Sequence, residues 1–241
     1  MSVGSTVVES LVVTLDMYRR AFARGAQLAV RNWPVFGSIF VYLGVLAAGA
    51  RVAPLLGIVG GFLMSLLFAA CLASLLYLVE MMVRTGRVTW EDFGRSFGVY
   101  LGDFVAVLFV LWLFSQVASL VLSQLPEGHV VILCLVLVGL VVFNAVPELI
   151  YLGHYNLATL FARSYQFVAN NWIEWFPPNL LLLATLATLW MYPADSTIKW
   201  VVQLAVSSLF FYFAMVVRGL LFIELDGSTR RSRIFRHKMG R

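Results

Sequence analysis

Charged residues are scarce in this sequence: Asp, Glu, Lys and Arg make up 12% of the 241 residues, while 61% are hydrophobic. Soluble domains contain roughly 45 to 50% apolar residues, so the composition excludes a water-soluble globular protein and favours lipid as the main solvent. A chain of this length can supply about six spans of roughly 20 residues joined by short connections. We therefore expect one membrane-embedded domain that comprises residues 1–241.

Cysteine is also scarce, and the motifs of enzyme chemistry are missing. Cys71 and Cys134 both fall inside apolar runs, where a cysteine is usually a small hydrophobic residue rather than a ligand. The sequence contains no HExxH, no GxSxG and no Gly-rich phosphate loop with a lysine, and its three histidines are widely separated. These absences predict that the protein is not an enzyme and has neither a cofactor nor a metal site.

Long apolar runs are the main feature that is present. Six runs can each cross a bilayer as a helix: residues 34–52, 55–80, 101–123, 129–150, 175–193 and 199–223. A short turn joins the first run to the second, the third to the fourth and the fifth to the sixth, so the runs form three hairpins. The predicted fold class is an all-α integral membrane protein with six transmembrane helices.

The distribution of basic residues predicts the orientation in the membrane. Of the 17 lysines and arginines, only Arg51 and Lys199 lie at the tips of the hairpins. All the others lie near the termini or near the connections between hairpins. Because short cytoplasmic loops carry an excess of Lys and Arg, both termini are predicted to be cytoplasmic.

A four-residue motif occurs three times, once before each hairpin. It consists of Phe, a small residue, Arg and a second small residue, at residues 22–25, 93–96 and 161–164. A polar residue and an aromatic residue follow each Arg at the same spacing, and a Glu precedes it at a constant spacing. Such self-similarity indicates an internal repeat. We predict three repeats, at about residues 7–83, 84–151 and 152–225, and a basic cytoplasmic tail at 226–241.

Each motif lies in a segment with the pattern of a short amphipathic helix at the membrane surface. In the second repeat Thr89 and Asp92 have the spacing of a capping box, and Trp90, Phe93 and Phe97 recur on one face. A repeat therefore consists of an interfacial helix followed by a transmembrane hairpin. Because each repeat contains two spans, successive repeats enter the membrane in the same sense and are related by an axis along the membrane normal.

The glutamates at the inner ends of the hairpins are expected to form structural ion pairs, because an ionisable group near hydrocarbon needs a partner. The predicted pairs are Glu80 with Arg95, Glu148 with Arg163, and Glu224 with Arg24. The alternative is functional: the three carboxylates form a ring that binds a cation or moves a proton. Both interpretations stay open at this point, and the structural one is favoured.

The second apolar run has small residues at every fourth position, which allow another helix to approach closely. This predicted helix-packing face consists of Gly57, Gly61, Ser65, Ala69 and Ala73. Gly44 and Ala48 of the same hairpin are its expected partners, and another subunit is the alternative. Gln116 and Asn144, in the third and fourth runs, are expected to form hydrogen bonds between helices.

The C-terminal tail is strongly basic. Its basic residues are Arg230, Arg231, Arg233, Arg236, Lys238 and Arg241. A positive charge near an anionic membrane surface contributes about 1 kcal/mol to binding, so we expect these residues to bind lipid headgroups. Nucleic-acid binding is not favoured, because the bias of basic residues towards the cytoplasm accounts for the same residues.

The segment from Ser164 to Trp172 and the order of elements resemble a group of poorly characterised bacterial membrane proteins. The group includes the membrane-domain type that is fused to some glycerophosphodiester phosphodiesterases. The resemblance covers the whole chain in layout and implies a bacterial inner membrane and a role near lipids or envelope partners. The catalytic domain of those phosphodiesterases is not present in this sequence, so the resemblance assigns no catalytic residue.

The leading functional prediction is a non-catalytic membrane scaffold or accessory subunit. Its partners would be anionic lipid headgroups and either another membrane protein subunit or a second copy of the chain. The alternative is a transporter or lipid-handling channel with a path between the three hairpins. A transport path needs polar or ionisable groups at mid-depth, whereas the glutamates considered above lie at the ends of apolar runs, which favours the scaffold.

Overall fold

The computed structural model of the chain describes residues 3–125, 127–153, 155–192 and 195–228, together with residues 232, 235 and 239 of the tail. Helices form most of this part of the chain, and no β-strand occurs in it. The prediction of an all-α protein is therefore confirmed.

Nine α-helices occur among the described residues. Their bounds are α1 Val3–Arg31, α2 Trp33–Val52, α3 Gly57–Thr85, α4 Trp90–Val99, α5 Leu101–Leu122, α6 Gly128–Val142, α7 Val146–Tyr151, α8 Leu157–Met191 and α9 Thr197–Asp226. A 3₁₀ segment, Ala53–Leu56, joins α2 to α3. Five of the six apolar runs of the sequence each lie mainly in one helix, whereas the turn at residues 143–145 divides the fourth run, 129–150, between α6 and α7.

Three helical stretches of the described chain are long and apolar enough to cross a membrane. They are Trp33–Thr85, which contains α2 and α3, Trp90–Leu122, which contains α4 and α5, and Thr197–Asp226, which is α9. Helix α6 is apolar but shorter. These lengths and compositions are compatible with a membrane protein, while the number of six spans stays a prediction.

Local sequence explains where two of the helices begin. Pro54 lies in the first turn of the 3₁₀ segment, where its missing N–H costs least. Gly57 then has a φ of 57°, a left-handed conformation that residues with a side chain disfavour, and α3 begins there. At α4 the predicted capping box is confirmed, because Asp92 Oδ2 accepts a hydrogen bond of 2.7 Å from the backbone N–H of Thr89.

The chain forms two compact units. The first unit consists of Met1–Gly37, Met81–Val88 and Asn171–Arg241, and the second unit consists of Ser38–Glu80 and Thr89–Asn170. The first unit therefore contains α1, α9 and the C-terminal part of α8. The second contains α4 to α7, most of α2 and α3, and the N-terminal part of α8.

Within the first unit, α1 lies antiparallel along α9. Arg20 Nη2 of α1 is 3.0 Å from Glu224 Oε1 near the end of α9. Directly after the end of α1, the carbonyl oxygen of Asn32 accepts a hydrogen bond of 3.0 Å from the hydroxyl of Tyr212 on α9. Residue numbers thus rise along one helix as they fall along the other.

The contact between α1 and α9 is close because the buried face of α1 includes small residues. Ala21 is 5% exposed, and Gly25 is buried one turn later. A Cβ atom at Gly25 would lie 2.8 Å from Cγ2 of Val217 on α9, which is closer than packed carbon atoms approach. Glycine at this position therefore lets the two helix backbones come together.

The third repeat differs in shape from the first. In the first repeat, α1 ends at Arg31 and α2 begins at Trp33, because Pro34 disfavours helical structure in the residues just before it. In the predicted third repeat, no proline or glycine occurs between Leu157 and Trp175, and the interfacial segment and the fifth apolar run form the single helix α8, which continues through Pro177 and Pro178. At 35 residues this helix is about 52 Å long, so it exceeds the hydrocarbon core of a bilayer.

Large side chains with almost no exposed surface form a core in each unit. In the first unit they are Met17, Met82, Trp175, Tyr212, Leu221 and Phe222. In the second unit they are Leu76, Leu78, Leu149, Ile150, Tyr151 and Leu160. The two cores place the polar groups considered below against packed apolar side chains.

Candidate functional site

The second small residue of each repeated motif is buried, and the arginine before it is exposed. The buried residues are Gly25, Ser96 and Ser164. The exposed residues are Arg24, Arg95 and Arg163. The motif therefore identifies the line along which each predicted interfacial helix packs on another helix.

Each of these buried residues contacts the second helix of a predicted hairpin. Gly25 packs on α9, as described above. The Oγ atom of Ser96 lies 2.5 Å from Oγ of Ser74 on α3, and Oγ of Ser164 donates to the carbonyl oxygen of Val142 on α6 at 2.9 Å. A threefold repeat predicts this similarity of contacts, although the repeat itself stays a prediction.

Glu80 and Arg95, a predicted ion pair, each have another partner. Arg95 Nη2 lies 3.7 Å from Oε2 of Glu91, one turn earlier on α4, where both side chains are exposed. Glu80 is 4% exposed, and its carboxylate accepts a hydrogen bond from the hydroxyl of Tyr100. The arginine points outward because its neighbour Ser96 occupies the buried face of α4.

Glu148 and Arg163, the second predicted pair, also differ in environment. Glu148 lies in the first turn of α7 and has no exposed surface. Arg163 is exposed on α8, and its guanidinium carbon lies 5.3 Å from the centre of the Tyr155 ring. A cation above an aromatic face is attracted by the ring electrons, so Arg163 has an aromatic neighbour in place of the predicted carboxylate.

Glu224, the third predicted glutamate, pairs with an arginine of α1 one turn from the expected residue. Its Oε1 atom is 3.0 Å from Nη2 of Arg20, and Nη1 of the same arginine is 2.7 Å from Oδ2 of Asp16. Arg24 is exposed. The prediction identified the correct helices but the wrong residue, because the antiparallel packing of α1 on α9 places Arg20 level with Glu224.

The predicted helix-packing face of α3 is divided between buried and exposed ends. Ala69 and Ala73 have no exposed surface, whereas Gly57, Gly61 and Ser65 are exposed. A Cβ atom at the expected partner Gly44 would meet nothing within 4 Å, and Ala48 is exposed. Helix α2 instead approaches α3 at Gly49, where a Cβ atom would lie 2.8 Å from Cδ2 of Leu67. The large side chains of α3, rather than its small ones, cover this part of α2.

Gln116 and Asn144 do not have equivalent positions. Asn144 is half-buried in the turn between α6 and α7 and lies outside the regular part of both helices. Gln116 is exposed on α5, and its side chain hydrogen bonds to no residue in the described part of the chain. The expected hydrogen bond from Gln116 to another helix is therefore not formed among those residues.

Asn32 has a structural role that its position in the repeat did not reveal. Its amide nitrogen donates to the carbonyl oxygens of Leu28 and Gly86 at 2.9 and 3.3 Å, and its Oδ1 accepts from the N–H of Val88 at 2.9 Å. One buried side chain thus connects the end of α1 to the segment after α3. The sequence signal was an asparagine directly before Trp33 and Pro34, where the predicted interfacial segment meets the first apolar run.

A polar cluster between α8 and α9 was also missed. Arg218 is half-buried, its Nη1 donates to Oδ1 of Asn179 at 2.8 Å, and its guanidinium carbon lies 5.0 Å from the centre of the buried Trp175 ring. Glu174 is 4% exposed, and its backbone carbonyl accepts from the hydroxyl of Tyr18 at 2.8 Å. The charge of Arg218 was assigned to the cytoplasmic bias, although an ionisable residue inside an apolar helix is also a functional candidate.

The remaining predicted features concern metals and lipid. Among the described residues, no group of three or more His, Cys, Asp or Glu side chains could hold a metal ion. The six basic residues of the predicted lipid-headgroup site in the tail lie outside the described residues. No protein-family model matches the chain, and no curated protein or solved structure is significantly similar to it. The resemblance to the membrane domain fused to some glycerophosphodiester phosphodiesterases therefore stays a hypothesis.

Proposed function

We propose that the chain is a non-catalytic, multi-pass protein of the bacterial inner membrane that serves as a scaffold or accessory subunit for a membrane partner. The exposure of the α5–α6 hairpin carries this proposal. Only 6% of the most apolar stretch of Trp90–Leu122 is buried, against 61% for Thr197–Asp226. Within the second unit α5 packs on α6, and most side chains of both helices face outward.

An apolar hairpin with so little buried surface is suited to an interaction inside the membrane. Lipid tails cover apolar side chains as well as a protein does, so helices associate in lipid mainly through close packing and hydrogen bonds. Phe109 and Trp112 of α5 stack with ring centroids 6.0 Å apart, and both are more than half exposed. They offer a partner helix a large and rigid contact area.

Polar groups inside other helices serve the packing of the chain itself, which favours a scaffold. In the second unit the hydroxyl of Tyr42 lies 2.7 Å from Oγ of Ser74, which also contacts Ser96. In the first unit Gln203 Nε2 donates to the carbonyl oxygen of Leu189 at 2.7 Å. These bonds join neighbouring helices, and buried networks of this kind stabilise one arrangement of the helices.

The proposal includes six spans with cytoplasmic termini and contacts to anionic lipid headgroups. The distribution of basic residues supports this topology, since nearly all of them lie on one side of the predicted spans. Arg24 and Arg31 are exposed on α1, on the side of the membrane where anionic lipids would be found in this topology. The basic tail would bind the same headgroups.

A transporter or lipid-handling channel is the second candidate, and one observation favours it. Arg218 and Glu174 are ionisable residues of the first unit that lie within helices rich in apolar residues. Intramembrane ionisable residues often belong to substrate or proton pathways. The contacts of Arg218 with Asn179 and Trp175 are equally consistent with a structural role, so this candidate ranks second.

Purification from the native membrane in mild detergent, followed by mass spectrometry of intact assemblies, tests the proposal. We expect the chain to be recovered in a fixed ratio with a membrane protein, either a different chain or a second copy. Recovery as a monomer alone would contradict the scaffold. Solute or lipid flux in liposomes that is lost in Arg218→Gln but kept in the exposed control Arg24→Gln would favour the transporter.

A further inference from the structure

Three polar side chains lie on one exposed face of α5. Ser115, Gln116 and Ser119 are all exposed, and at 3.6 residues per turn they fall within an arc of about 100° around the helix axis. Trp112 lies on the same face and is 55% exposed. We refer to Ser115, Gln116 and Ser119 as the α5 polar face.

No residue of the α5 polar face has a side-chain hydrogen bond to any residue that the structure describes. Other exposed hydroxyls on apolar helices bond to their own backbone. Ser65 Oγ donates to the carbonyl oxygen of Gly61 at 3.0 Å, and Thr188 Oγ1 donates to that of Thr185 at 2.8 Å. The α5 polar face differs from these positions, because its donors and acceptors are available to another molecule.

Gln116 lies inside the part of α5 that would cross the hydrocarbon. The helix Leu101–Leu122 has 22 residues and is about 33 Å long, close to the roughly 30 Å of a bilayer core. Gln116 is about 22 Å from the start of the helix and is therefore below the headgroups at either end. An amide in hydrocarbon has no water to bond to, so a protein partner with hydrogen-bonding groups stabilises it.

We propose that the α5 polar face binds the same face of a second copy of this chain, which forms a twofold-symmetric dimer inside the membrane. This inference rests on the proposed function, in which a hairpin face binds a membrane partner. A glutamine amide has both donors and an acceptor, so two Gln116 side chains facing each other across a twofold axis can form two hydrogen bonds.

The geometry of two identical chains also suits this contact. Two copies with the same topology present their α5 helices in parallel, so each position lies opposite its own equivalent across the axis. Ser115 and Ser119 are one turn apart and small, which lets two helix backbones approach as in small-xxx-small packing. A different partner would need a complementary amide or hydroxyl at the same depth. A second copy of the chain has both at that depth.

Cysteine crosslinking in native membranes tests the contact directly. In a Cys134→Ser background, the variant Ser119→Cys should form a disulfide-linked dimer of two chains on mild oxidation. Val117→Cys is the matched control, because Val117 is exposed at nearly the same depth but lies on the opposite side of α5. We expect this control to stay monomeric. Cys71 is buried and is kept in all variants.

Substitution of Gln116 tests the proposed hydrogen bonds. Dimer formation is measured by co-purification of two differently tagged copies at several expression levels. Gln116→Leu should weaken self-association about ten-fold, whereas Gln116→Asn, which keeps the amide, should retain most of it. Both variants should fold, because Gln116 contacts no described residue through a hydrogen bond.

The outcomes separate this inference from the proposed function. A Ser119→Cys crosslink to a different membrane protein would overturn the second copy as partner and leave the scaffold standing. Equal crosslinking at positions 117 and 119, or full self-association of Gln116→Leu, would overturn the α5 polar face as the interface. Absence of any crosslink, with intact-mass measurements showing only monomers, would overturn both proposals.

Discussion

Several buried polar side chains of this protein form hydrogen bonds with uncharged groups. The hydroxyl of Tyr100 donates to Glu80 and also lies 3.3 Å from the carbonyl oxygen of Tyr151. The amide of Asn32 serves three backbone groups in the first unit. A hydroxyl that donates to a buried carboxylate stabilises it without removing a second charge from water.

The contact between Tyr100 and Glu80 makes a prediction that differs from that of an ion pair with Arg95. Tyr100→Phe removes a donor from a buried carboxylate and should lower the free energy of unfolding by about 1 to 3 kcal/mol. Arg95→Gln removes only an exposed pair with Glu91 and should change stability by about 0.5 kcal/mol or less. Thermal unfolding in one detergent compares the two variants. Greater destabilisation by Arg95→Gln would contradict the observed contacts.

The antiparallel packing of α1 on α9 is the main contact between helices that the sequence places at opposite ends of the chain. It depends on the small residues Ala21 and Gly25 at the centre of the buried face. The ion pair of Arg20 with Glu224 at its end is partly exposed, with 51% and 31% of the side-chain surfaces accessible. Such a pair contributes little, so close packing stabilises this contact.

Enlarging Gly25 tests this packing. Gly25→Leu should separate α1 from α9 and lower the free energy of unfolding by about 1 to 3 kcal/mol, because Val217 occupies the space that the new side chain needs. Ala26→Leu, at an exposed neighbouring position, is the control and should have little effect. Adding Val217→Ala to Gly25→Leu should restore part of the loss. Equal stability of Gly25→Leu and the control would show that the two helices are not in close contact.

Much of the helical structure could be predicted from the sequence, because it depends on local signals. The capping box at Thr89 and Asp92 and the extents of α2, α5 and α9 follow from hydrophobic runs and end signals. The continuity of α8 could not be predicted with the same reasoning. Pro177 and Pro178 at the start of the fifth apolar run are helix breakers, yet both lie inside this helix.

The partners of the predicted site residues were harder to predict than the residues themselves. Glu80 and Glu148 were singled out as groups in need of a partner, and both are buried. The constant spacing to the arginines came from the repeat and contained no information on rotation about the helix axis. That rotation places Ser96 inward and Arg95 outward, and it decides which pairs can form.

The molecule as a whole combines apolar helices with basic residues concentrated at the ends of the chain and in the longer connections. This distribution is expected when those connections share one side of the membrane, as they would with the six predicted spans. The three motifs with their buried small residues are further expected to superpose around an axis along the membrane normal. Both expectations depend on how many times the chain crosses the membrane.

Topology mapping with reporter fusions tests the number of membrane crossings most directly. Fusions at Gly128 and Ser196, at the tips of the second and third hairpins, should report the outer side of the membrane. A fusion after Arg241 should report the cytoplasm, as should one at Arg87 between the first and second hairpins. A cytoplasmic signal at Gly128 or Ser196, or an external signal after Arg241, would contradict six spans with cytoplasmic termini.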